Sequence, residues 1–472
     1  MGLRKSQVPE TSERSDTVES LTGDFSLVDM NKTYGDEFIK FINENPTVYH
    51  ATHGFADTLK ENGFKQLHEA SAWQIEKGGK YFVERNGSSI ISFIIGENYK
   101  AGNGFIAVGG HSDALTLKVK PNSTVAPNSK FLQVAVAPYA GGGNPTWLDR
   151  DLGLAGRVMV KSSGGGYEKK LVRLPGAIGR IPTLAPHFGL NTENFNKETQ
   201  INPVVGQTAG DTKESAVHPK QLTSAVLRAA GAKEEDLLGW ELEFFDAQPA
   251  GYLGLDSEFI SVGRCDDKLC SWSAITAISK ASSEGSLIKV AAAFDNEEVG
   301  SLSLQGAGSN FLPATMNRAF ESLGCTSKED CGRAYASSFF VSSDVTHAFD
   351  PNWPQAYEEH QRPELNVGPV ISYDPNIHMT SDLVSSGLSK LVAEKHGLEL
   401  QTFQIRNDVR SGGTIGPMLA AKMGVRSVEI GLAQLSMHSI RAMTGAKEPA
   451  LGVRYFGGFF ESFEEVVKEI VI

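Results

Sequence analysis

The stretch from residue 286 to residue 300, SLIKVAAAFDNEEVG, constrains the fold more than any other part of the chain. Its apolar run, residues 287–294, stops at the polar tetrad 295–298. A short apolar run bounded by polar residues is typical of a strand buried in a parallel sheet. Ligands collect just beyond the carboxyl ends of such strands, and Glu297 and Glu298 stand there. For the tetrad alone, a helix N-terminus with acidic residues is the alternative.

Length and composition indicate a globular protein of more than one domain. The 472 residues exceed the roughly 250–300 that one hydrophobic core supports. The net charge of −12 argues against a nucleic-acid partner, because phosphate binding needs a basic face. No apolar run reaches the roughly 18 residues of a membrane-spanning helix, so no membrane association is predicted. The start of the chain lacks a secretory signal, and the four cysteines have no paired spacing. We therefore expect reduced thiols and a cytoplasmic protein.

The chain divides into three predicted parts. Residues 1–33 are polar and are predicted to be disordered. Residues 34–115 and 253–472 alternate between strand and helix patterns, which predicts an α/β domain with a mostly parallel core sheet flanked by helices. Residues 116–252 are rich in Pro, Gly and Thr with short strand-like pieces, which predicts an inserted β-rich domain.

The periodicity of apolar residues also predicts individual elements. Strands are predicted at residues 80–85, 89–95, 105–109, 287–294, 338–341, 402–405 and 425–430. Helices are predicted at residues 222–230, 234–238, 269–281, 381–394 and 459–472. The last of these has an acidic polar face, so we expect it to face the core rather than a membrane.

Five candidate metal ligands occur where these elements meet. Four of them follow apolar strands and one opens a helix: His111, Glu298, Asp344, His438 and, at the helix, Asp266. A parallel sheet gathers such positions along one edge. Two imidazoles and three carboxylates suit a pair of divalent cations, and zinc best fits this mixture of nitrogen and oxygen ligands. One carboxylate would bridge the two ions, which together would activate a water and polarise a carbonyl.

Each residue also has a plainer interpretation. A single histidine after a strand is more often an ordinary polar residue than a ligand. Asp344 can cap a helix that contains His347, and Asp266 can form a capping pair with Asp267. Asp113 strengthens the metal interpretation, since it shares a face with His111 if the chain is extended there and can orient the imidazole.

Several motifs taken together resemble the M18 metallopeptidases, which include the aspartyl aminopeptidases and fungal vacuolar aminopeptidase I. They occur in the family's order from about residue 36 to the C-terminus: GGHSDALTLKVKP, WLDRDLGLAGR, RIPTLAPHFG, RCDDKLCSW, DNEEVGS, SSDVTHAFDPNWP, RSGGTIGP and QLSMHSIR.

This resemblance implies a zinc exopeptidase that acts on peptides with a free N-terminus, with two Zn²⁺ per subunit. The implied ligands are the five candidates above, with Asp266 bridging, and residues 34–115 and 253–472 become the catalytic domain. Glu297 becomes the general base, which takes a proton from the attacking water and passes it to the leaving amine. His187 matches a family histidine that reaches a neighbouring active site and stabilises the oxyanion. The insertion becomes a dimerisation domain in a homododecamer built from dimers.

The chain departs from the family pattern in two places. It lacks the amphipathic propeptide that packages vacuolar aminopeptidase I, which favours the cytoplasm over the vacuole. Asn376 stands near where the aspartyl branch carries a basic residue, and an amide cannot supply that charge. We therefore expect a preference for neutral or aliphatic N-terminal residues. The alternatives are an aspartyl aminopeptidase specific for Asp or Glu, another amide hydrolase such as an acylase or carboxypeptidase, and a non-enzymatic assembly or cargo protein.

Overall fold

The computed structural model describes residues 27–126, 130–189, 194–208 and 217–470. Residues 1–33 are predicted to be disordered, and residues 1–26 of this segment lie outside the described ranges. Residues 27–33 belong to a helix, so the predicted boundary at residue 33 is wrong. Met30 and Tyr34 are buried because their spacing continues the apolar face that carries Phe38 and Phe41.

Nine α-helices lie in the described ranges. They are α1 (Leu27–Glu44), α2 (Val48–Glu61), α3 (Lys220–Ala230), α4 (Cys265–Lys280), α5 (Phe311–Ser322), α6 (Lys328–Ala336), α7 (Leu383–Lys395), α8 (Gly416–Met423) and α9 (Glu448–Val466). The predicted helices at 222–230, 269–281 and 381–394 correspond to α3, α4 and α7. The last helix begins well before the predicted residue 459. Its Phe459, Phe460 and Phe463 are buried, which confirms that it faces the core.

The strands form three sheets. In chain order they are β1 (Lys65–Leu67), β2 (Lys80–Arg85), β3 (Ser89–Ile95), β4 (Phe105–His111), β5 (Thr116–Thr124), β6 (Phe131–Tyr139), β7 (Asp151–Lys161), β8 (Tyr167–Arg173), β9 (Gly179–Arg180), β10 (Val204–Gln207), β11 (Leu237–Asp246), β12 (Gly251–Leu253), β13 (Phe259–Val262), β14 (Ile288–Phe294), β15 (Phe339–Ser342), β16 (Thr346–His347), β17 (Val370–Tyr373), β18 (Gln401–Gln404), β19 (Arg426–Gly431), β20 (Ala433–Leu435) and β21 (Ala442–Gly445).

The central sheet has nine strands in the order β1-β2-β3-β14-β4-β15-β19-β17-β18. Its four middle strands, β14, β4, β15 and β19, run parallel to one another, whereas β3 and β17 pair antiparallel on either side. All residues of β4 and β14 are buried, as expected for strands covered on both faces. The predicted α/β class with a mostly parallel core sheet is confirmed.

Helices pack on both faces of this sheet. On one face, α1, α4 and α9 contribute Phe38, Trp272 and Phe456 to the larger hydrophobic core. On the other face, α5 and α8 contribute Phe311 and Leu419 to a second core. Since both faces are covered, the open edge at the carboxyl ends of the parallel strands is the place left for chemistry.

The second sheet is built only from residues between Thr116 and Asp246. Its strands are antiparallel in the order β11-β5-β6-β10-β9-β7-β8, and an additional pairing of β11 with β7 closes it on itself. Trp147, Leu152 and Phe244 are buried inside it. The β-rich character predicted for residues 116–252 agrees with this sheet, and the dimerisation role stays a prediction.

One helix prediction inside this segment is wrong. Residues 234–238 do not form an α-helix: Glu234–Asp236 is a single 3-10 turn and β11 follows directly. β11 pairs with β7 over nearly its whole length, so tertiary pairing overrides the local helix preference of the acidic segment.

A third, smaller sheet has the strand order β12-β13-β21-β20-β16. It leads the chain from β13 into α4 and from β20 into the loop that carries His438. None of the helices in the described ranges combines the length and apolar character that a membrane crossing requires.

Candidate metal centre

The parallel strands of the central sheet end level with one another. Phe294 at the end of β14 pairs with His111 at the end of β4, and Ser342 at the end of β15 pairs with Gly109 of β4. The residues that follow these ends therefore share one edge of the sheet. Glu297 begins a 3-10 turn after β14, so the alternative of an α-helix N-terminus at this tetrad does not hold.

Asp266 lies between the two predicted histidine ligands. Its Oδ1 is 3.1 Å from His111 Nε2, and its Oδ2 is 3.3 Å from His438 Nε2. One carboxylate thus offers one oxygen to each imidazole, which is the arrangement expected of a bridging ligand.

The other predicted ligands complete the two sides. Glu298 Oε2 is 3.5 Å from His438 Nε2, and Asp344 Oδ1 is 3.7 Å from His111 Nε2. Glu297 Oε2 is 3.9 Å from the same atom of His111. The structure therefore brings together all five predicted ligands and the predicted base.

The donor atoms fit divalent cations. His111, Glu297 and Asp344 place ligand atoms within 4.8 Å of one another, and so do His111, Asp266 and Glu298. Glu298 Oε1 is buried, and no group in the described ranges forms a hydrogen bond with it. A buried carboxylate oxygen without a donor is costly unless a cation balances it. The mixture of imidazole and carboxylate donors is one that zinc accepts.

The electrostatics of this cluster show a shortage of positive charge. Burial and the neighbouring carboxylate of Asp266 raise the pKa of Glu298 to about 10. Burial also raises the pKa of Glu297 to about 7, with Asp344 and Asp113 adding to the effect. Carboxyl groups with pKa values raised in this way hold protons at neutral pH unless a metal ion displaces them.

These raised values predict how stability depends on pH when the cluster holds no cation. Glu297 and Glu298 have an ordinary pKa of 4.5, so above that pH the folded state binds more protons than the unfolded state. The contribution of these two carboxyl groups to the free energy of unfolding is present in full below pH 4.5. It is lost as the pH rises through their pKa values in the folded state. We expect the Tm of chelator-treated protein to fall further below that of metal-loaded protein as the pH rises from 5.5 to 8.5. Matched thermal scans measure the gap, and a gap that is constant with pH contradicts the prediction.

Asp113 lies beneath the cluster and contacts several of its members. Its Oδ1 is 3.3 Å from His111 Nδ1 and accepts the backbone N–H of Glu297 at 3.1 Å. Its Oδ2 accepts the backbone N–H of Glu298 at 3.2 Å. The carboxylate therefore lies beside the imidazole, and it holds the turn that carries both glutamates. Its role in orienting the imidazole stays a prediction.

Asp267 has a role that the sequence did not indicate. It is fully buried, and its two oxygens accept the backbone N–H groups of His111 and Val345, each at 3.1 Å. It therefore joins the end of β4 to the loop after Asp344. Its position next to Asp266 fits both a capping pair and a cation ligand, so only the fold separates these interpretations.

Glu429 was also missed by the sequence reasoning. It is buried in β19, where it accepts a hydrogen bond from Thr414 Oγ1 at 2.8 Å, and burial raises its pKa to about 8. The available signal was an acidic residue inside the predicted strand at residues 425–430. Through Thr414 it supports the loop 411–414 beside the cleft.

A cleft of about 450 Å³ opens beside the metal cluster. The loop 411–414 forms part of its wall, near the start of α8. The apolar part of the wall is formed by six side chains: Val345, Met379, Phe403, Ile405, Met418 and Met437. His347 also lines the cleft, and it lies in β16 rather than in a helix.

Two predicted residues lie outside this cluster. Asn376 is exposed, does not line the cleft and donates its amide and its backbone N–H to Asp374. His187 is exposed in the 3-10 turn Pro186–Phe188 and does not reach the cluster of its own chain. Its predicted contact with a neighbouring subunit stays a prediction.

Comparisons with known proteins show which family the chain resembles over most of its length. The family model described as aminopeptidase I zinc metalloprotease (M18) matches residues 41–460. Vacuolar aminopeptidase 1 of Saccharomyces cerevisiae is 41% identical over 458 residues, covering 92% of this chain and 89% of the relative. Aspartyl aminopeptidase 1 of Schizosaccharomyces pombe is 38% identical over 460 residues, covering 92% and 96%.

The fold has solved counterparts as well. The S. cerevisiae mApe1 dodecamer superposes with a TM-score of 0.82 at 38% sequence identity, covering 93% of this chain and 98% of that one. The matches in sequence and fold extend over nearly the whole described chain. The chain therefore belongs to the M18 family of aminopeptidase I zinc metalloproteases and is a zinc metallo-aminopeptidase.

Proposed function

We propose that the chain removes N-terminal residues from peptides with two zinc ions per subunit that share Asp266. The observation that carries this proposal is the position of Asp266, with one oxygen within 3.1 Å of His111 and the other within 3.3 Å of His438. His111 and Asp344 would complete the coordination of one ion, and His438 and Glu298 would complete that of the other. Zinc bound in this way lowers the pKa of a coordinated water and polarises the scissile carbonyl.

Glu297 acts as the general base and then as the general acid. It accepts the proton of the attacking water and delivers it to the nitrogen of the leaving amine. Its carboxylate lies beside the proposed ligands, with Oε2 3.9 Å from His111 Nε2, so it can reach a water held at the same place. Asp113 supports this step because its carboxylate contacts the His111 imidazole and accepts the backbone N–H of Glu297.

The assembly is a homododecamer built from dimers, in which His187 of a neighbouring subunit stabilises the oxyanion. Two observations support this proposal: His187 is exposed, and a relative with the same fold forms a dodecamer. We propose the cytoplasm as the compartment, with the vacuole as the alternative suggested by the name of the S. cerevisiae relative.

Metal analysis tests the central part of this proposal. Protein purified without added metal and dialysed should contain close to two zinc ions per chain, and chelation should abolish turnover until zinc is restored. A stoichiometry of one, with full activity, would contradict the shared site. Loss of turnover on N-acetylated peptides, against retained turnover on free ones, excludes an acylase or carboxypeptidase.

We further propose a preference for neutral, apolar N-terminal residues. The cleft wall beside the metal ligands contains Met379, Phe403 and Ile405, and no lysine or arginine of the described ranges lines it. An acidic substrate side chain would lose its hydration there without gaining a cation. The proposed preference for apolar over acidic N-terminal residues therefore depends on the side chains of the cleft wall, and not on Asn376.

Paired substrates measure this preference. We expect kcat/KM for a leucyl anilide to exceed that for an aspartyl anilide by about tenfold or more, equivalent to about 1.4 kcal/mol in transition-state binding. Met379→Lys should move the ratio toward the aspartyl substrate, whereas Met379→Leu should leave it unchanged. Faster aspartyl cleavage by the unaltered enzyme would instead favour an aspartyl aminopeptidase.

A further inference from the structure

Tyr139 ends β6 in the second sheet, yet its hydroxyl reaches the metal centre. The O–H group donates to Asp113 Oδ2 at 2.6 Å, which is shorter than the contacts of Asp113 with His111, Glu297 and Glu298. Those three residues come from the central sheet and its loops. Among the described residues, Tyr139 is thus the donor that the second sheet supplies to this carboxylate.

Asn296 contacts the same hydroxyl from the side of the glutamate turn. Its Nδ2 donates to the Tyr139 oxygen at 3.0 Å, and its Oδ1 accepts from Gln305 Nε2 at 2.9 Å. Asn296 has a φ of 65° and directly precedes Glu297, so it sets the direction in which the turn leaves β14. One hydroxyl therefore connects Asp113 with the turn that carries the base and a ligand.

The ring of Tyr139 is itself fixed by its own sheet. Tyr139 pairs with Thr116 across β5 and β6, and Lys118 Nζ lies 4.1 Å from the ring centre in a cation–π contact. The backbone of Tyr139 is held by its strand pairing, and its ring is held by the contact with Lys118. The position of the hydroxyl therefore follows the position of the second sheet.

We propose that Tyr139 is a positioning residue through which the second sheet sets the geometry of the metal centre. The inference rests on the proposed function, since it requires His111 and Glu298 to bind zinc and Glu297 to act as base. Without the hydroxyl, Asp113 loses its shortest donor and the Asn296 amide loses its acceptor. The imidazole and the glutamate turn then gain freedom, which weakens zinc binding and misaligns Glu297. The substrate cleft is unaffected because Tyr139 does not line it.

Tyr139→Phe removes only this hydroxyl, and Tyr167→Phe is the matched control. Tyr167 lies in β8 of the same sheet with its side chain exposed. We expect Tyr139→Phe to lower kcat and to speed zinc release to a chelator, each by about 10- to 100-fold, as for other residues that orient metal ligands. KM, assembly size and the Tm of zinc-loaded protein should match those of Tyr167→Phe.

Two results would overturn the inference. One is a Tyr139→Phe variant whose kcat and zinc release equal those of the control. The other is a loss of assembly or Tm in proportion to the loss of activity, which would make the hydroxyl a general structural contact. The metal requirement of the unaltered enzyme, measured alongside, separates failure of this inference from failure of the proposed function: if turnover needs no zinc, the proposed function itself fails.

Asn296→Gly gives an independent test. Glycine tolerates the positive φ at this position, and the substitution removes the amide that contacts the hydroxyl together with its hydrogen bond from Gln305. Because both variants break the same link, their effects on zinc release should be less than additive in the double variant. Full additivity would mean that Tyr139 and Asn296 act separately, which contradicts the proposed connection.

Discussion

Glu297→Gln is expected to lower kcat by about 10²- to 10⁴-fold, the range over which a positioned acid–base group contributes to catalysis. The amide keeps the size and shape of the side chain but cannot take a proton from the attacking water. Glu297 is not one of the five proposed ligands, and the backbone contact between its N–H and Asp113 is independent of the side chain. Zinc content and assembly should therefore stay as in the unaltered enzyme, and metal analysis together with steady-state kinetics measures both.

Glu321→Gln is the matched control for this experiment, because Glu321 is exposed on α5. The control should have unaltered kcat and zinc content. If Glu297→Gln instead lost zinc along with activity, Glu297 would be a ligand, as its 3.9 Å distance to His111 Nε2 allows geometrically. Retained turnover would remove Glu297 from the mechanism altogether.

Asp266→Asn is expected to abolish both tight zinc binding and turnover. The carboxylate places one oxygen beside His111 and the other beside His438, so it can bind both ions. An amide has only one oxygen and cannot do so. We expect kcat to fall by at least about 10³-fold, more than the loss of a single transition-state donor causes, because both cations depend on this residue. Zinc titration by calorimetry, with kcat measured in excess zinc, checks both effects.

Asp256→Asn serves as the control, since Asp256 is exposed in the loop before β13. It should bind zinc and turn over substrate like the unaltered enzyme. A variant Asp266→Asn that binds two zinc ions with unchanged affinity would show that the two sites do not share this residue.

Much of the site could be predicted from the sequence because its residues follow strands with a clear apolar pattern. His111 is the last residue of β4, and Glu298 and Asp344 follow the ends of β14 and β15 within a few residues, so strand prediction and the rule for carboxyl ends together place them. His438 is harder to place, since it follows β20 in a turn with a φ of 63°. The predicted strand at residues 425–430 made it a candidate, and the fold brings it to Asp266.

Contacts between distant segments could not be predicted. Tyr139 acts across the boundary between two sheets, and Asp267 accepts backbone N–H groups from two separate strand ends. Neither contact leaves a periodic signal in the sequence. The same limitation explains the error at residues 234–238, where pairing with β7 decides the structure of β11. Likewise, the apolar cleft wall combines Met379, Phe403 and Met418 from separate elements.

The most direct test of the account is an anomalous-difference map recorded at the zinc absorption edge from crystals of the purified enzyme. We predict two peaks about 3.5–4 Å apart, one between His111 and Asp344 and the other between His438 and Glu298, with Asp266 between them. A single peak, or two peaks that do not flank Asp266, would contradict the account.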